Sequence, residues 1–594
     1  MVRVVDYIMA KISQECVKHI FTVTGRGILY LTDALAKNEK IEGISLHHEQ
    51  AAAFAAIAYA QKTENIGVCL VSMGCASTNA MTGLLCAWQD GIPCIFISGQ
   101  NMTRESVRFT GVPIRTYGSQ ETDIVSIVKP LTKYAVMITR PEQVAYELEK
   151  ALYLSQAGRK GPVWIDVPLD IQNMRIEPQE LEHYQEPQGD VCFPIEGEME
   201  YVVNELEKAK RPVVLIGSGV RSSGAILQVQ QLVDRIKIPV TFAHSAVDAY
   251  GAEKELSIGA VGSLCGTRAG NFTVQNADLL LVLGCRMSSM TTGEEYSKFA
   301  REAKVIVVDI DKEEHSKNTI KIDRLINADI KDFLDQLLGR ELKVTDPFWQ
   351  DKCKYWKIFF SKNESFYNRT GKVDMYYLAE VFSQVLHKRT SFLCDAGLEE
   401  LIFPSNIAFD DSMRCIHSVM QGSMGFALPA AIGAWYGGSE EVVAVIGDGS
   451  VMMNLQEFQT IAYHKLPIKI FIISNNVYSV IHKRQKDLFR TRTIGTNPED
   501  GVSCPDFSKV ADCFGLQYYH IVNADALKED VEHVLNIEGT VLCEVEGLED
   551  QEYLRSSYTR AQNRRVVRRP IEDQAPFLER DIFLREMLIE PIDQ

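Results

Sequence analysis

The chain has 594 residues, of which 46% are hydrophobic and 24% charged. This composition is ordinary for a soluble globular protein and excludes a disordered chain, a collagen and a small disulfide-stapled module. The length suits three or four domains. The net charge of −17 repels phosphate backbones, so we expect no nucleic-acid partner.

The 14 cysteines are scattered and include no CxxC pair, which favours reduced thiols in a cytoplasmic protein. The N-terminal segment MVRVVDYIMAKISQECVKH alternates charged and apolar residues, so it resembles neither a signal peptide nor an anchor. Because no apolar run reaches about 18 residues, we expect no membrane partner.

Short apolar runs that end in glycine or polar turns recur along the chain, separated by segments with helical periodicity. Such runs are typical of buried parallel strands, each followed by a helix. They predict an α/β protein with doubly wound parallel sheets. The runs lie at 66–74, 92–100, 212–219, 277–286, 304–311, 441–450 and 468–476.

Two composition shifts predict domain boundaries. Residues 176–200 are acidic and contain prolines, which indicates a linker. Residues 340–372 lack a strand pattern and predict a helical connector. We therefore expect three domains and a C-terminal tail that is a candidate lid, at 1–180, 190–340, 365–548 and 549–594.

The segment from 441 to 477 predicts a metal and phosphate site. EVVAVIGDGS indicates a strand and a glycine turn, MMNLQEFQTIAYHKL a helix, and IKIFIISNN the next strand. Because parallel strands of such a unit end at one sheet edge, Asp448 and Asn475 should lie together. Their oxygens suit Mg²⁺, and the glycines and the helix start suit a phosphate.

Glu49 lies between a predicted strand and an alanine-rich helix, in HHEQAAAFAAIAYA. A carboxylate among small apolar side chains is poorly solvated, which suits a proton-transfer group. The alternative is a glutamate that stabilises the helix start through the macrodipole.

Together these motifs resemble those of thiamine diphosphate enzymes. The resemblance implies that Asp448, Asn475 and the Val477 carbonyl hold Mg²⁺ and that Glu49 activates the cofactor through its aminopyrimidine. The family usually has two asparagines at this point, whereas this chain has Ser474 first. Asn475 and Asn476 therefore both remain candidates, and the spacing favours Asn475. The motif that would hold the diphosphate consists of Gly447, Asp448, Gly449 and Ser450.

HEQAAAFAAIAYA (48–60) and QGSMGFALPAAIGA (421–434) are similar to segments of acetolactate synthases and related decarboxylases. In that family Met424 would separate the two cofactor rings, and the Gly422 carbonyl would accept from the 4′-amino group. The domain order would be pyrimidine-binding, middle and diphosphate-binding. The resemblance also implies a homodimer or homotetramer whose sites form between the pyrimidine-binding domain of one subunit and the diphosphate-binding domain of another.

The middle domain contains GSGVRSSG after a strand, which is a weak dinucleotide signal. Acetolactate synthases bind FAD in this domain, and other relatives bind ADP or nothing. The segments GSLCG (262–266) and LGCRMSSMTTG resemble flavin-contacting stretches loosely. FAD and an empty domain therefore both stay open.

Several residues differ from the acetolactate synthase pattern. Arg26 lies where those enzymes have small residues, and Arg484 lies where they have an aromatic one. Guanidinium groups suit carboxylates and phosphates, whereas the alternative is solvated surface charge. His48, Gln100 and Gln120 are weaker candidates for substrate contact. The tail also carries six arginines between 555 and 569.

The expected activity is decarboxylation of a 2-oxo acid and transfer of the acyl unit to an anionic acceptor, for which a nucleotide sugar is a candidate. The tail segment PIEDQAPFLERDIFLREMLI is similar to that of thiamine diphosphate enzymes encoded among surface-polysaccharide genes. The alternatives are acetolactate synthase itself, a flavin-using pyruvate oxidase, a non-catalytic cofactor-binding paralogue and a nicotinamide dehydrogenase.

Overall fold

The computed structural model describes residues 1–187, 193–362, 367–490, 492–560 and 565–592. Within these ranges the chain forms three parallel six-stranded sheets covered by helices. The predicted α/β class is confirmed, and so are the seven predicted strand segments. None of the helices in the described ranges combines the length and apolar character needed to cross a bilayer.

The N-terminal domain has its sheet in the order β3-β2-β4-β5-β7-β6, where β1 and β8 form a separate antiparallel pair. The strands are β1 (Val2–Arg3), β2 (His19–Val23), β3 (Glu42–Ser45), β4 (Gly67–Val71), β5 (Cys94–Gln100), β6 (Tyr134–Met137), β7 (Val163–Pro168) and β8 (Arg175–Ile176). The helices are α1 (Val4–Gln14), α2 (Leu29–Lys37), α3 (Glu49–Thr63), α4 (Cys75–Asn79), α5 (Met81–Asp90), α6 (Val107–Thr110), α7 (Ile124–Val128), α8 (Val144–Gln156) and α9 (Leu169–Gln172).

The middle domain has a different order, β11-β10-β9-β12-β13-β14, with β9 and β12 side by side where the order reverses. The strands are β9 (Pro212–Ile216), β10 (Val240–Phe242), β11 (Ser257–Ala260), β12 (Leu279–Leu283), β13 (Lys304–Asp309) and β14 (Arg324–Asn327). The helices are α10 (Glu196–Lys208), α11 (Ser218–Ser222), α12 (Ile226–Ile236), α13 (Arg268–Gln275), α14 (Ser289–Thr292) and α15 (Ile330–Leu338). Helix α10 begins inside the segment predicted as a linker.

The predicted connector contains helix α16 (Pro347–Lys362), and the C-terminal domain follows with its sheet in the order β16-β15-β17-β18-β20-β19. The strands are β15 (Thr390–Cys394), β16 (Arg414–Ile416), β17 (Glu441–Gly447), β18 (Ile468–Ser474), β19 (Gln517–Ile521) and β20 (Val541–Glu546). The helices are α17 (Met375–Val385), α18 (Leu398–Asn406), α19 (Ala427–Tyr436), α20 (Asp448–Val451), α21 (Glu457–His464), α22 (Ser479–Phe489), α23 (Phe507–Phe514) and α24 (Leu527–Asn536).

The tail packs on the middle domain. It contains the antiparallel pair β21 (Tyr558–Arg560) and β22 (Val566–Arg568) and the helix α25 (Arg580–Glu586). Phe583 and Met587 join an apolar cluster with Trp349 and Trp356 of α16. The tail is therefore tied to the body of the protein by a buried core.

The N-terminal and C-terminal domains share one hydrophobic core. Cys69 of β4 and Ala444 of β17 belong to the same apolar cluster, which lies between the two sheets. Because alternate residues of a strand face opposite sides of the sheet, the residues next to them in sequence pack into other clusters. Helices α3 and α19 cross in this core, where Gly433 approaches so closely that a Cβ there would lie 2.0 Å from the Ala55 carbonyl oxygen. Small residues thus allow the two helices to pack tightly.

The helix predicted directly after GDGS is wrong in its position. The chain makes the short helix α20, then a turn, and α21 begins only at Glu457. The Asn454 amide donates to the Gly425 carbonyl at 2.9 Å and to Gln50 Oε1 at 3.2 Å. Tertiary contacts of this side chain therefore hold a turn where the apolar periodicity predicts helix.

Candidate functional site

The carboxyl ends of β17 and β18 bring Asp448 and Asn475 together, as the parallel-strand argument predicts. Asp448 Oδ2 accepts from the backbone N–H groups of Asn475 at 3.0 Å and of Asn476 at 2.6 Å. The Asp448 side chain is 3% exposed and the Asn475 side chain 5%. A buried carboxylate and a buried amide thus share this sheet edge.

The two asparagines differ in their surroundings. Asn475 is buried, and its Oδ1 accepts from the Val477 N–H at 3.2 Å, which folds the chain back toward the edge. Asn476 is exposed and has a left-handed backbone, with φ of 56°. This arrangement favours Asn475 over Asn476 as an inward-facing ligand.

The glycine turn is shaped by its neighbours. A Cβ on Gly449 would lie 2.0 Å from Cε1 of Tyr478, and one on Gly447 would lie 3.0 Å from Glu399 Oε1. Ser450 Oγ donates to Asp395 Oδ1 at 2.6 Å. Only a residue without a side chain fits at Gly449, because the Tyr478 ring fills the space that a Cβ would occupy.

Asp395 and Glu399, which the sequence analysis missed, add two more buried carboxyl groups. Burial raises the pKa of Asp395 to about 6 and that of Glu399 to about 8, and it also raises the pKa of Asp448. Among the described residues no lysine, arginine or histidine pairs with these three groups. The sequence offers only a weak signal for Asp395, because it lies in CDAG after a strand, as Asp448 lies in GDGS after a strand.

Glu49 is the first residue of α3, as predicted. Its Oε2 accepts from the Asn79 amide at 2.9 Å, and the preceding His48 caps the helix by accepting from the Gln50 N–H at 3.1 Å. The following residues of α3 from Ala51 to Ala60 are buried. The carboxylate therefore lies at the partly exposed end of an otherwise apolar helix.

Gly422 and Met424 belong to the loop between β16 and α19. Gly422 has φ of 51°, and Met424 is partly buried. The loop contacts α5, where Gln421 donates to Gln89 at 2.8 Å and the Met420 N–H to Asp90 at 3.2 Å. The N-terminal domain thus supports the segment that the resemblance assigns to the cofactor.

Three family models match the chain in the order of its domains. They are the N-terminal TPP binding domain of thiamine pyrophosphate enzymes at 2–127, the central domain at 199–337 and the C-terminal TPP binding domain at 395–545. The chain belongs to the thiamine pyrophosphate enzyme family. Thiamine pyrophosphate is another name for thiamine diphosphate, so the predicted family, cofactor and enzyme class are confirmed.

Curated relatives match over nearly the whole chain. The acetolactate synthase large subunit of Cyanidium caldarium is 32% identical over 89% of this chain and 90% of its own length. The corresponding Haemophilus influenzae subunit is 28% identical over 96% and 98%. The isozyme 2 large subunit of Escherichia coli is 30% identical over 91% and 94%. This thiamine pyrophosphate enzyme is therefore similar to acetolactate synthases.

The sheet edge at Asp448 fits the divalent cation that such enzymes use. A buried carboxylate, an amide oxygen and a nearby carbonyl are hard oxygen ligands. Burial of uncompensated carboxylates is costly, and a bound cation would offset it. Asp448, Asn475 and Val477 as ligands, and Glu49, Gly422 and Met424 as cofactor contacts, stay predictions for this thiamine pyrophosphate enzyme.

The weaker substrate candidates lie at the carboxyl edge of the N-terminal sheet. Arg26 is exposed and follows Gly25, whose Cβ position is 2.6 Å from Ser72. Gln120 is exposed, and its carbonyl lies against Gly74 in the same group of loops. Gln100 differs, because its buried amide donates to the Thr122 carbonyl at 2.8 Å and to Asp166. The exposed side chains of Arg26 and Gln120 can thus contact a ligand, whereas the buried Gln100 amide is used in hydrogen bonds within the domain.

Arg484 and the tail arginines have different environments. Arg484 is exposed on α22, and within the described residues neither it nor Arg26 has an ion-pair partner. Arg555 pairs with Glu552 at 3.1 Å, Arg568 with Glu294, and Arg569 with Asp573 at 3.6 Å. Arg568 therefore connects the tail to the middle domain, whereas Arg555 and Arg569 pair within the tail. Arg564 lies outside the described residues.

A cavity of about 650 Å³ opens at the carboxyl edge of the middle sheet, where β9 and β12 meet. Loops after these strands line it, together with Asp309, the last residue of β13. The glycines of GSG have a packing explanation, since a Cβ on Gly217 would lie 2.3 Å from the Gly284 carbonyl oxygen. Both alternatives for this domain, FAD and no cofactor, therefore stay open.

Proposed function

We propose that this chain decarboxylates a 2-oxo acid with thiamine diphosphate and Mg²⁺ and joins the acyl unit to a second carbonyl compound. The observation that carries the proposal is the buried Asp448 carboxylate, which lies beside Asn475 at the ends of two adjacent strands. When bound, thiamine diphosphate supplies the electron sink for loss of the carboxylate.

The residues of the chain have separate tasks in this proposal. Asp448, Asn475 and the Val477 carbonyl would hold the cation, and the backbone of the GDGS turn would receive the diphosphate. Glu49 holds and releases a proton at the cofactor's aminopyrimidine, and Asn79 fixes the position of its carboxylate. Gly422 and Met424 set the shape of the cofactor.

The assembly is proposed to be a homodimer or homotetramer with each site between two subunits. Within one chain, Glu49 is bound by Asn79 of its own domain, and Asp448 by the backbone of its own domain. Among the described residues no hydrogen bond or ion pair joins Glu49 to Asp448. A second subunit would bring a Glu49 carboxylate to each Asp448 edge.

Two acceptors are proposed in order. The relatives named acetolactate synthase favour a second 2-oxo acid, so that two pyruvates would give acetolactate. The exposed and unpaired guanidinium groups of Arg26 and Arg484 favour an anionic acceptor, with a nucleotide sugar as the larger example.

The test is an assay of purified protein with thiamine diphosphate, Mg²⁺ and a panel of 2-oxo acids. We expect CO₂ release with at least one acid, and mass spectrometry of the product identifies the acceptor. If pyruvate alone gives acetolactate and added nucleotide sugars change nothing, the second acceptor is wrong. If no 2-oxo acid releases CO₂ above the rate of the Asp448→Asn variant, the proposal is wrong.

A further inference from the structure

Three side chains from distant parts of the sequence meet where the middle and C-terminal domains touch. His244 follows β10, Glu400 lies on α18, and His417 follows β16. Each offers one ligand atom, and these atoms all lie within 4.8 Å of one another. The centroids of the two imidazole rings are 4.6 Å apart.

His244 is the most informative member of this cluster. It is 4% exposed, and both ring nitrogens are buried and have no hydrogen-bond partner among the residues that the structure describes. Buried polar atoms in folded proteins nearly always have a partner, because losing water without a replacement is costly. An imidazole with two unused nitrogens beside a second histidine and a carboxylate points to a missing ligand.

The other two members already contact each other. His417 Nδ1 lies 3.2 Å from Glu400 Oε1, so this contact fixes the positions of the imidazole and the carboxylate before an ion binds. Asp90 of α5 lies on the same side and interacts electrostatically with both residues, and its buried Oδ2 also has no hydrogen-bond partner. The cluster is thus rich in negative charge and in unused ligand atoms.

We infer that His244, Glu400 and His417 form a binding site for a divalent cation of the zinc class. Two imidazoles and one carboxylate are a common zinc ligand set that leaves a fourth position for water or another oxygen ligand. Tetrahedral ligand atoms at zinc distances are about 3.4 Å apart, so the three groups need to close only slightly around an ion.

The site is distinct from the proposed Mg²⁺ site. Asp448, Asn475 and Val477 offer oxygen atoms only, whereas imidazole nitrogens prefer zinc and similar transition metals. His244 also lines the cavity of about 650 Å³ in the middle domain, which gives an ion a path from solvent. The inference does not require the proposed reaction, although Glu400 Oε2 lies 3.2 Å from the Cβ position of Gly422, which the proposed function assigns to the cofactor.

The test measures Zn²⁺ binding to the full chain. The metal content of purified protein is determined by mass spectrometry, and stripped protein is then titrated with Zn²⁺ against a chromogenic chelator. We expect one tightly bound Zn²⁺ per chain. His244→Leu and His417→Asn should each lower the Zn²⁺ affinity by at least about tenfold.

The matched control uses the other group of this kind in the described residues. His520, Glu544 and Glu546 also lie within ligand distance, but His520 is exposed, so His520→Asn should leave the tight Zn²⁺ site intact. The inference is overturned if wild-type protein binds Zn²⁺ no better than His244→Leu, or if His520→Asn removes the tight site. Circular dichroism confirms folding, and Glu400→Gln replaces any histidine variant that does not fold.

Binding of thiamine diphosphate with Mg²⁺ is measured on the same samples. Zinc binding without cofactor binding would refute the proposed function alone, and cofactor binding without zinc would refute this inference alone.

Discussion

The N-terminal and C-terminal domains have the same strand order, yet the carboxyl edges of their sheets differ. After β4, Ser72 Oγ accepts from the Gly27 N–H at 3.0 Å, and after β5 the Asn101 amide donates to the Ser119 carbonyl at 2.8 Å. The matching positions after β17 and β18 are Asp448 and Asn475. Loops of its own domain form hydrogen bonds with these two residues at the first edge, whereas the carboxylates at the second edge have no cationic partner among the described residues.

This difference shows that the residues at the strand ends, rather than the topology, determine the chemistry. In the N-terminal domain the carboxylate that we propose to transfer a proton is Glu49, at the start of α3. In the C-terminal domain the corresponding helix α19 follows the loop at 422–424. In the proposed function, two versions of one fold would thus contribute complementary halves of a cofactor site.

The largest expected effect is a loss of reaction rate, caused by a change in the N-terminal domain. Glu49→Gln should lower the rate of CO₂ release by about 100- to 10,000-fold, because the amide cannot transfer the proton. The variant should still bind Mg²⁺ and thiamine diphosphate, measured by calorimetry. Glu42→Gln on the preceding strand β3 is the control, and an equal loss there would remove Glu49 from the mechanism.

In the C-terminal domain the next largest expected effect is a loss of cofactor affinity. Asp448→Asn should weaken Mg²⁺-dependent cofactor binding by at least about tenfold, since the cation loses its charged ligand. Unchanged cofactor affinity, compared with Asp512→Asn on the exposed face of α23, would refute the assignment.

The shared core can be tested at the crossing of α3 and α19. Gly433→Ala should lower the free energy of unfolding by about 1–3 kcal/mol, because the added Cβ meets the Ala55 carbonyl. Gly197→Ala in α10 is the control, since nothing lies within 4 Å of its Cβ position. An equal and small effect of both changes on thermal unfolding would show that the domains do not pack as described.

The last expected effect is a pH dependence of the stability of the cofactor-free protein. Burial raises the pKa of Glu399 to about 8, above its ordinary value of about 4.3 when unfolded. The folded state therefore binds more protons between these values, and the stability from this group is lost as pH rises through about 8. Thermal unfolding midpoints should fall less steeply from pH 5 to 8 in Glu399→Gln than in wild type.

The exposed Glu313→Gln variant is the control for this slope. If the midpoints of Glu399→Gln and wild type change in parallel across that range, the Glu399 carboxyl is not held protonated by burial.

The strands were predictable because buried parallel strands have continuous apolar runs, and the meeting of Asp448 and Asn475 followed from parallel pairing. The turn at residues 452–456 was not predictable, because Asn454 is fixed by hydrogen bonds to Gln50 and Gly425, two residues that are distant from it in the sequence. Asp395 and Glu399 were missed because their role depends on burial. His244, Glu400 and His417 were missed because only the tertiary fold brings them together.

The interpretation of the tail illustrates the same limit. The sequence shows a run of arginines in an acidic protein, which suggests an anion site. The structure pairs Arg555, Arg568 and Arg569 with acidic side chains of the tail and the middle domain. Charge patterns locate cations along a chain, but only the fold shows which of them already have partners.

The most direct test of the account mixes two inactive variants. Glu49→Gln and Asp448→Asn subunits are unfolded together and reassembled, and CO₂ release is compared with each variant alone and with reassembled wild type. If one site takes Glu49 from one subunit and Asp448 from the other, random dimers should recover about a quarter of the wild-type activity. A mixture no more active than the separate variants would contradict a site built from the two halves of different subunits.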